Sequence, residues 1–166
     1  MNMILFFLLT FNFVSPDIVN YRKLMDSSVK NKAAAFEFYA RLKQVKEDDA
    51  PVMLGFQSMS EFLLCKHMIN PFSRMFHFNR GKNLLEMAIS RAKDNPELLL
   101  FRLITQSNLP AVLNYNNHIS EDKAALISYL KRTPQDEDVM LYQRVKKYLL
   151  NSKNCSAKEI ALIKML

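Results

Sequence analysis

Apolar positions recur three or four residues apart along most of this chain, the spacing of one face of an α-helix. Ile18, Tyr21, Leu24 and Met25 predict a first helix; Phe36, Tyr39, Leu42 and Val45 predict a second. In "PVMLGFQSMSEFLLCKHMI", residues 51–69, apolar side chains surround most of the helix, so the third should be central and buried. Leu84, Leu85, Ala88, Ile89 and Ala92 line one face of a fourth, and "PELLLFRLITQSN" is again apolar nearly all round. "SEDKAALISYLKR", "TPQDEDVMLYQRVKKYLL" and "SAKEIALIKML" add three more helical stretches. No alternation of period two persists anywhere, so no strand is predicted.

Start and stop signals sharpen this reading. Asn95 should cap a helix with Pro96 in its first turn, where the missing N–H is not needed. Ser120 is placed as a cap ahead of Glu121 and Asp122, and Thr133 as a cap ahead of Pro134. Ser156 followed by Glu159 spells a capping box. Asn70-Pro71 should end the third helix, because the residue before proline is pushed out of the helical region. "LPAVLNYNNHI" reads as a short irregular turn. The fold class expected is all-α, one domain over residues 17–166, with about seven to eight helices in antiparallel hairpins.

Composition supports this. Apolar residues make up 49% of the 166, enough for a core, and the only glycines are Gly55 and Gly81, too few for a turn-rich β fold. Net charge is +7, which bears on attraction to anionic partners rather than on fold. Residues 1–15 open with an almost uninterrupted apolar run, the length of a signal-peptide core and too short to span a bilayer. They imply export, to the periplasm or beyond, or a membrane anchor if retained. Cys65 and Cys155 are expected to be unpaired thiols.

Helical hairpins raise the question of a repeat. Leu54-Gly55, then Gly81, Leu85 and Ala88, then "AISRAKDNPE" resemble one tetratricopeptide unit running into the next. Pro51, Ser58 and Lys93 depart from that pattern, and the Gly55–Gly81 interval is longer than the repeat's. "NPFSRMFHFNRG", residues 70–81, therefore reads as an insertion between paired helices, with Phe72, Phe76 and Phe78 tucked back against the hairpin. "LLCKHMINPFSRMFHFNRGKNLLEMAI", "NPELLLFRLITQSNLPAVLNY" and the "EDK" after Ile119 also resemble a family of small exported bacterial proteins with a tetratricopeptide-like fold. The resemblance implies a right-handed helical array and export; it brings no activity.

Candidate chemistry is sparse. Cys65, His67 and His77 have ligand-type side chains, but Cys-x-His on a helix points the first two about 200° apart, so no metal site is expected. Arg74, His77 and Arg80, interleaved with phenylalanines, could meet a partner or an anionic surface; no nucleic-acid fingerprint accompanies them, so nucleic acid is not the expected partner. Arg102 and Gln106 share one face of an apolar helix, either to satisfy nearby backbone or to hold a partner's carboxylate. Glu61 and His67 are the nearest approach to an acid–base pair. Gly55, Gly81, Ala88 and Pro96 are assigned structural roles. No catalytic constellation and no cofactor site assembles. The expectation is a non-catalytic module binding a protein or peptide, with a basic anionic-surface binder and a small helical enzyme as alternatives.

Overall fold

The computed structural model of the protein describes residues 16–133 and 137–166. The apolar run of residues 1–15 and Pro134 lie outside them. Among the described residues there are eight α-helices, one 3-10 turn and no strand. They are α1 (Pro16–Ser28), α2 (Lys32–Leu42), α3 (Pro51–His67), α4 (Pro71–Arg91), α5 (Pro96–Asn108), the 3-10 turn Ala111–Leu113, α6 (Ile119–Arg132), α7 (Val139–Leu150) and α8 (Ala157–Met165). The all-α class is as the periodicity indicated. No helix among them is long and apolar enough to cross a membrane.

Consecutive helices pair antiparallel. On α3 and α4, Glu61 meets His77 and Ser58 Oγ donates to the Gly81 carbonyl at 2.7 Å. On α5 and α6, Arg102 meets Asp122 while Gln106 meets His118. The odd-numbered helices run side by side. Phe56 of α3 packs against Tyr21 of α1 and Phe101 of α5, with ring centroids 5.8 and 5.1 Å away. The central burial of α3 follows its composition: Leu54 to Glu61 are buried without a break.

Asn31, Asn70 and Asn95 cap α2, α4 and α5, each side chain accepting backbone N–H bonds of the first turn. The Ser156–Glu159 capping box on α8 forms as expected. Two expected caps differ. α6 starts two residues earlier, at Ile119 after His118, so Ser120 lies inside the helix. α7 starts at Val139, where the Asp138 side chain accepts the Leu141 N–H. In the 3-10 connection Asn114 takes φ 45°, a left-handed conformation that asparagine tolerates better than most residues.

The largest correction concerns residues 70–81. They are no insertion: Pro71–Arg91 is a single helix of 21 residues, and Gly81 sits at its middle. Asn70-Pro71 does end α3, but Asn70 at once caps α4 and Pro71 takes its first position. Of the three phenylalanines, only Phe78 is buried; Phe72 and Phe76 are 86% and 60% exposed. The helical stripe of this segment runs through Phe78, Gly81, Leu85, Ala88 and Ile89, which leaves Phe72 and Phe76 on the outer face. In α2 the buried face is Ala35, Phe38 and Leu42, not Phe36 and Tyr39; Phe36 is exposed, with Lys32 Nζ 5.8 Å from its ring centroid.

The glycines serve close packing. A Cβ on Gly81 would sit 3.1 Å from the Phe62 ring, so Gly81 lets α4 lie tightly on α3. Gly55 faces the next hairpin rather than its own: a Cβ there would overlap Leu98 Cδ2 and lie 3.3 Å from Phe101. Ala88 is fully buried, and Pro96 occupies the first turn of α5.

Two contacts close the array. Arg22 of α1 is 1% exposed, donates to both Glu97 oxygens at 2.7 and 2.8 Å, and reaches Asp138 at 2.8 and 3.0 Å. It therefore clamps α1 to the starts of α5 and α7. Arg144 of α7 reaches back to Asp26 of α1 at 2.5 Å. Burial alone would depress the Arg22 pKa, but its hydrogen bonds to Glu97 and Asp138 override burial and hold it above the ordinary arginine value. Burial also opposes ionisation of Asp138; the bonds from Arg22 and the Leu141 N–H outweigh it and keep that carboxyl below its ordinary range.

Candidate functional site

The structure divides the residues expected to meet a partner into two groups. Arg102 and Gln106 are buried and occupied within the fold. Arg102 donates two bonds to Asp122, at 2.8 and 2.7 Å, and one to Glu86 at 3.0 Å. Gln106 Oε1 accepts the His118 N–H at 3.0 Å, which ties down the start of α6. Gln106 thus meets the backbone at the end of the irregular turn, but the arginine finds carboxylates on α6 and α4 rather than backbone carbonyls. Tyr115 joins the network through its hydroxyl, 2.6 Å from Glu86, and burial together with that neighbour pushes its pKa up.

His77 and Arg80 converge on Glu61. Glu61 is fully buried on α3; His77 Nδ1 is 2.6 Å from its Oε2, and Arg80 Nε is 2.9 Å from its Oε1. Tyr39 and Phe76 stand edge-on to the imidazole. A carboxylate–histidine pair can in principle move protons. Here no nucleophile hydrogen-bonds to His77 among the described residues, and the pair pins α4 to α3. His67, the expected neighbour of Glu61, points elsewhere: its Nε2 lies 2.9 Å from the Ser28 carbonyl, across the α1–α2 turn. No group of three ligand-type side chains that could hold a metal ion forms among the described residues. Both cysteines are free. Burial raises the Cys65 pKa, with Arg74 opposing it.

Arg74, beside the Cys65 thiol, is the expected arginine with no carboxylate partner among the described residues. It is exposed on the second turn of α4, at the rim of an apolar groove of about 560 Å3. The groove runs between the odd-numbered helices: Met25 comes from α1 and Val29 from the turn after it, Met59, Phe62 and Leu63 from α3, and Ile104 and Thr105 from α5, with Phe78 of α4 at one end. Lys66, Arg74 and Arg144 ring its mouth, and the only carboxylate among its lining residues, Asp26, is engaged by Arg144. The groove's α1, α3 and α5 residues lie toward the ends of those helices away from the Arg22 clamp, which joins α1 to the starts of α5 and α7.

Reading the sequence alone missed this groove, because its walls come from four helices and no single stretch carries it. Two signals were present. Met25 and Met59 are flexible apolar residues of the kind that suits adaptable binding surfaces. Arg22 stands in the same helical stripe as Ile18 and Met25, an odd place for a cation unless buried acids await it. A scan against protein-family models and searches of curated proteins and of solved structures found no match to this chain.

Proposed function

We propose that the protein is a non-catalytic binding module, built as a tetratricopeptide-like array of helical hairpins, which takes an apolar peptide segment bearing a carboxylate into the groove between its odd-numbered helices. The observation that carries this is the groove itself, apolar along its walls and ringed by Lys66, Arg74 and Arg144. Apolar walls supply affinity without direction; a few charged groups at the mouth fix orientation. Antiparallel hairpins with their first helices side by side support the array reading. In a solenoid each unit touches only its neighbours. The added contacts of α1 with α7 would curl this array into a basin rather than an open ribbon. Export remains part of the proposal through residues 1–15 alone.

A displayed random-peptide library provides the test. Peptides combining large apolar residues with an acidic side chain or a terminal carboxylate should be enriched on the protein. Arg74→Glu should release them, while Lys93→Glu, exposed at the opposite end of the molecule, should not. If no class of peptide is enriched, or if Arg74→Glu leaves binding intact, the groove is not a peptide site.

A further inference from the structure

Four turns join helices within a hairpin: residues 29–31, 68–70, 109–118 and 151–156. The contacts gather all four at one end of the protein. Lys66 Nζ donates to the Val29 carbonyl at 2.8 Å, tying the second turn to the first. Leu109 and Pro110 share the groove mouth with Val29 and Lys66, which brings in the third. Asn154 Nδ2 donates to Ser107 Oγ at 2.6 Å, which brings in the fourth.

This end is apolar at its tips and basic throughout. Ile69, Phe72 and Val112 are 90%, 86% and 87% exposed, an unusual cost for side chains of that size. No aspartate or glutamate occurs in residues 27–36, 62–85, 98–120 or 139–158, the stretches that contain the four turns. Lys30, Lys66 and Lys153 are exposed there. The acids nearest this end each have a partner: Arg144 pairs with Asp26, Arg102 with Asp122 and Lys123 with Glu159, and the His118 ring lies 2.8 Å from Glu121. The opposite end, where one hairpin passes to the next, exposes Glu47, Asp48, Asp49, Asp94 and Glu137. At that opposite end the acids stand among exposed Lys43, Lys46, Arg91, Lys93, Lys131 and Arg132, whereas Lys30, Lys66 and Lys153 lie in stretches that hold no acid.

We propose that the end carrying the within-hairpin turns docks on an anionic lipid surface, with Ile69, Phe72 and Val112 entering the headgroup region and Lys30, Lys66 and Lys153 meeting lipid phosphates. Charge complementarity selects this occupant: apolar side chains flanked by uncompensated lysines suit a negative interface, where each lysine adds to the attraction and apolar tips bury shallowly. A second copy of the chain would bring a second positive end against the first. The three tips expose roughly 500 Å2 if a large side chain offers about 200 Å2, below the ~800 Å2 per partner of a stable interface. The inference is independent of what fills the groove. Because the groove opens at this same end, docking would turn its mouth toward the membrane.

The chain has no tryptophan, so one can be added as a reporter. Phe72→Trp reports on the docking end and Val139→Trp on the opposite end, both in the full chain. With vesicles of phosphatidylcholine and phosphatidylglycerol, emission from Phe72→Trp should shift to the blue and be quenched by brominated lipid; Val139→Trp should not respond. Salt near 0.5 M should reverse most of the shift, since it shortens the screening length severalfold. Adding Ile69→Ser and Val112→Ser to the reporter chain should weaken partitioning about tenfold or more while leaving Tm unchanged. Four results would overturn the proposal: no shift at residue 72, equal response of both reporters, equal binding to pure phosphatidylcholine, or a shift that appears without vesicles as protein concentration rises. The second points to anchoring by residues 1–15 or to general adsorption, and the last to self-association.

Discussion

The two ends of the molecule are made from the same helices, yet they are built on opposite plans. Where one hairpin passes to the next, Arg22 is buried between Glu97 and Asp138 and locks three helices together. Where helices turn within a hairpin, Ile69, Phe72 and Val112 stand in solvent and Lys30, Lys66 and Lys153 are exposed without an acid partner. One end spends its polar groups on one another; the other leaves its apolar and basic groups unsatisfied. Burial explains the difference. A charge taken out of water must be met by a partner, so the clamp is closed and committed. Groups left in water carry no such demand and remain available to an external surface.

Removing Arg22 is the strongest way to break this contrast. Arg22→Ala would leave Glu97 buried without its cation, and the expected loss is about 3–5 kcal/mol in chemical denaturation. A loss within the range of ordinary surface changes would mean that the clamp does not organise this end. Gly55→Leu comes next. The new side chain would overlap Leu98 and crowd Phe101, forcing α3 away from α5 at an expected cost of about 1–3 kcal/mol. An unchanged Tm would show that the two helices are not held in close contact.

The smallest expected effect lies at the turn end, where Lys123 bridges to Glu159. The hydrogen bond from Lys123, followed by those from Ser156, pulls the Glu159 carboxyl down from 4.5 to about 2. A carboxyl whose pKa is depressed by folding stabilises the protein above its unfolded pKa and loses that contribution as pH falls through the folded one. Glu159→Gln should therefore lower Tm slightly at neutral pH, less than Gly55→Leu does. The gap from the parent should close as pH falls from 4.5 toward 2. A gap that persists at the acid limit would assign the effect to the lost capping geometry rather than to charge.

Helix-forming segments were legible because the information is local. Asn95-Pro96 and Ser156 with Glu159 define helix starts within three residues, and the structure places both as read. Errors arose where a local signal had two meanings. Asn70-Pro71 can end one helix or start another, and here it does both within three residues. Gly81 looked like a beginning because it resembled the small residue that opens the second helix of a tetratricopeptide unit; in the fold it sits mid-helix to admit the Phe62 ring. Phe36 and Tyr39 fit helical spacing as well as Ala35 and Phe38 do. Spacing alone could not say which stripe faces α3.

The candidate site was less legible. Arg74 was named from its aromatic and basic neighbours, and it is exposed at the groove. Arg102, named because it shares a face of an apolar helix with Gln106, is enclosed by Asp122 and Glu86. A sequence shows that an arginine is present on an apolar helix but not which acids lie opposite it. Those acids are 20 and 16 residues away along the chain.

What the sequence determined by itself was the helical class, most helix boundaries and the acid-free character of the segments around the within-hairpin turns, since each is a property of neighbouring residues. Tertiary structure alone decided that those segments gather at one end, that Arg22 finds Glu97 75 residues away, and that four helices leave a groove between them. Backbone propensity acts over a few residues. Partner choice for a buried charge, and the space left between packed helices, depend on which distant surfaces the chain brings together when it folds.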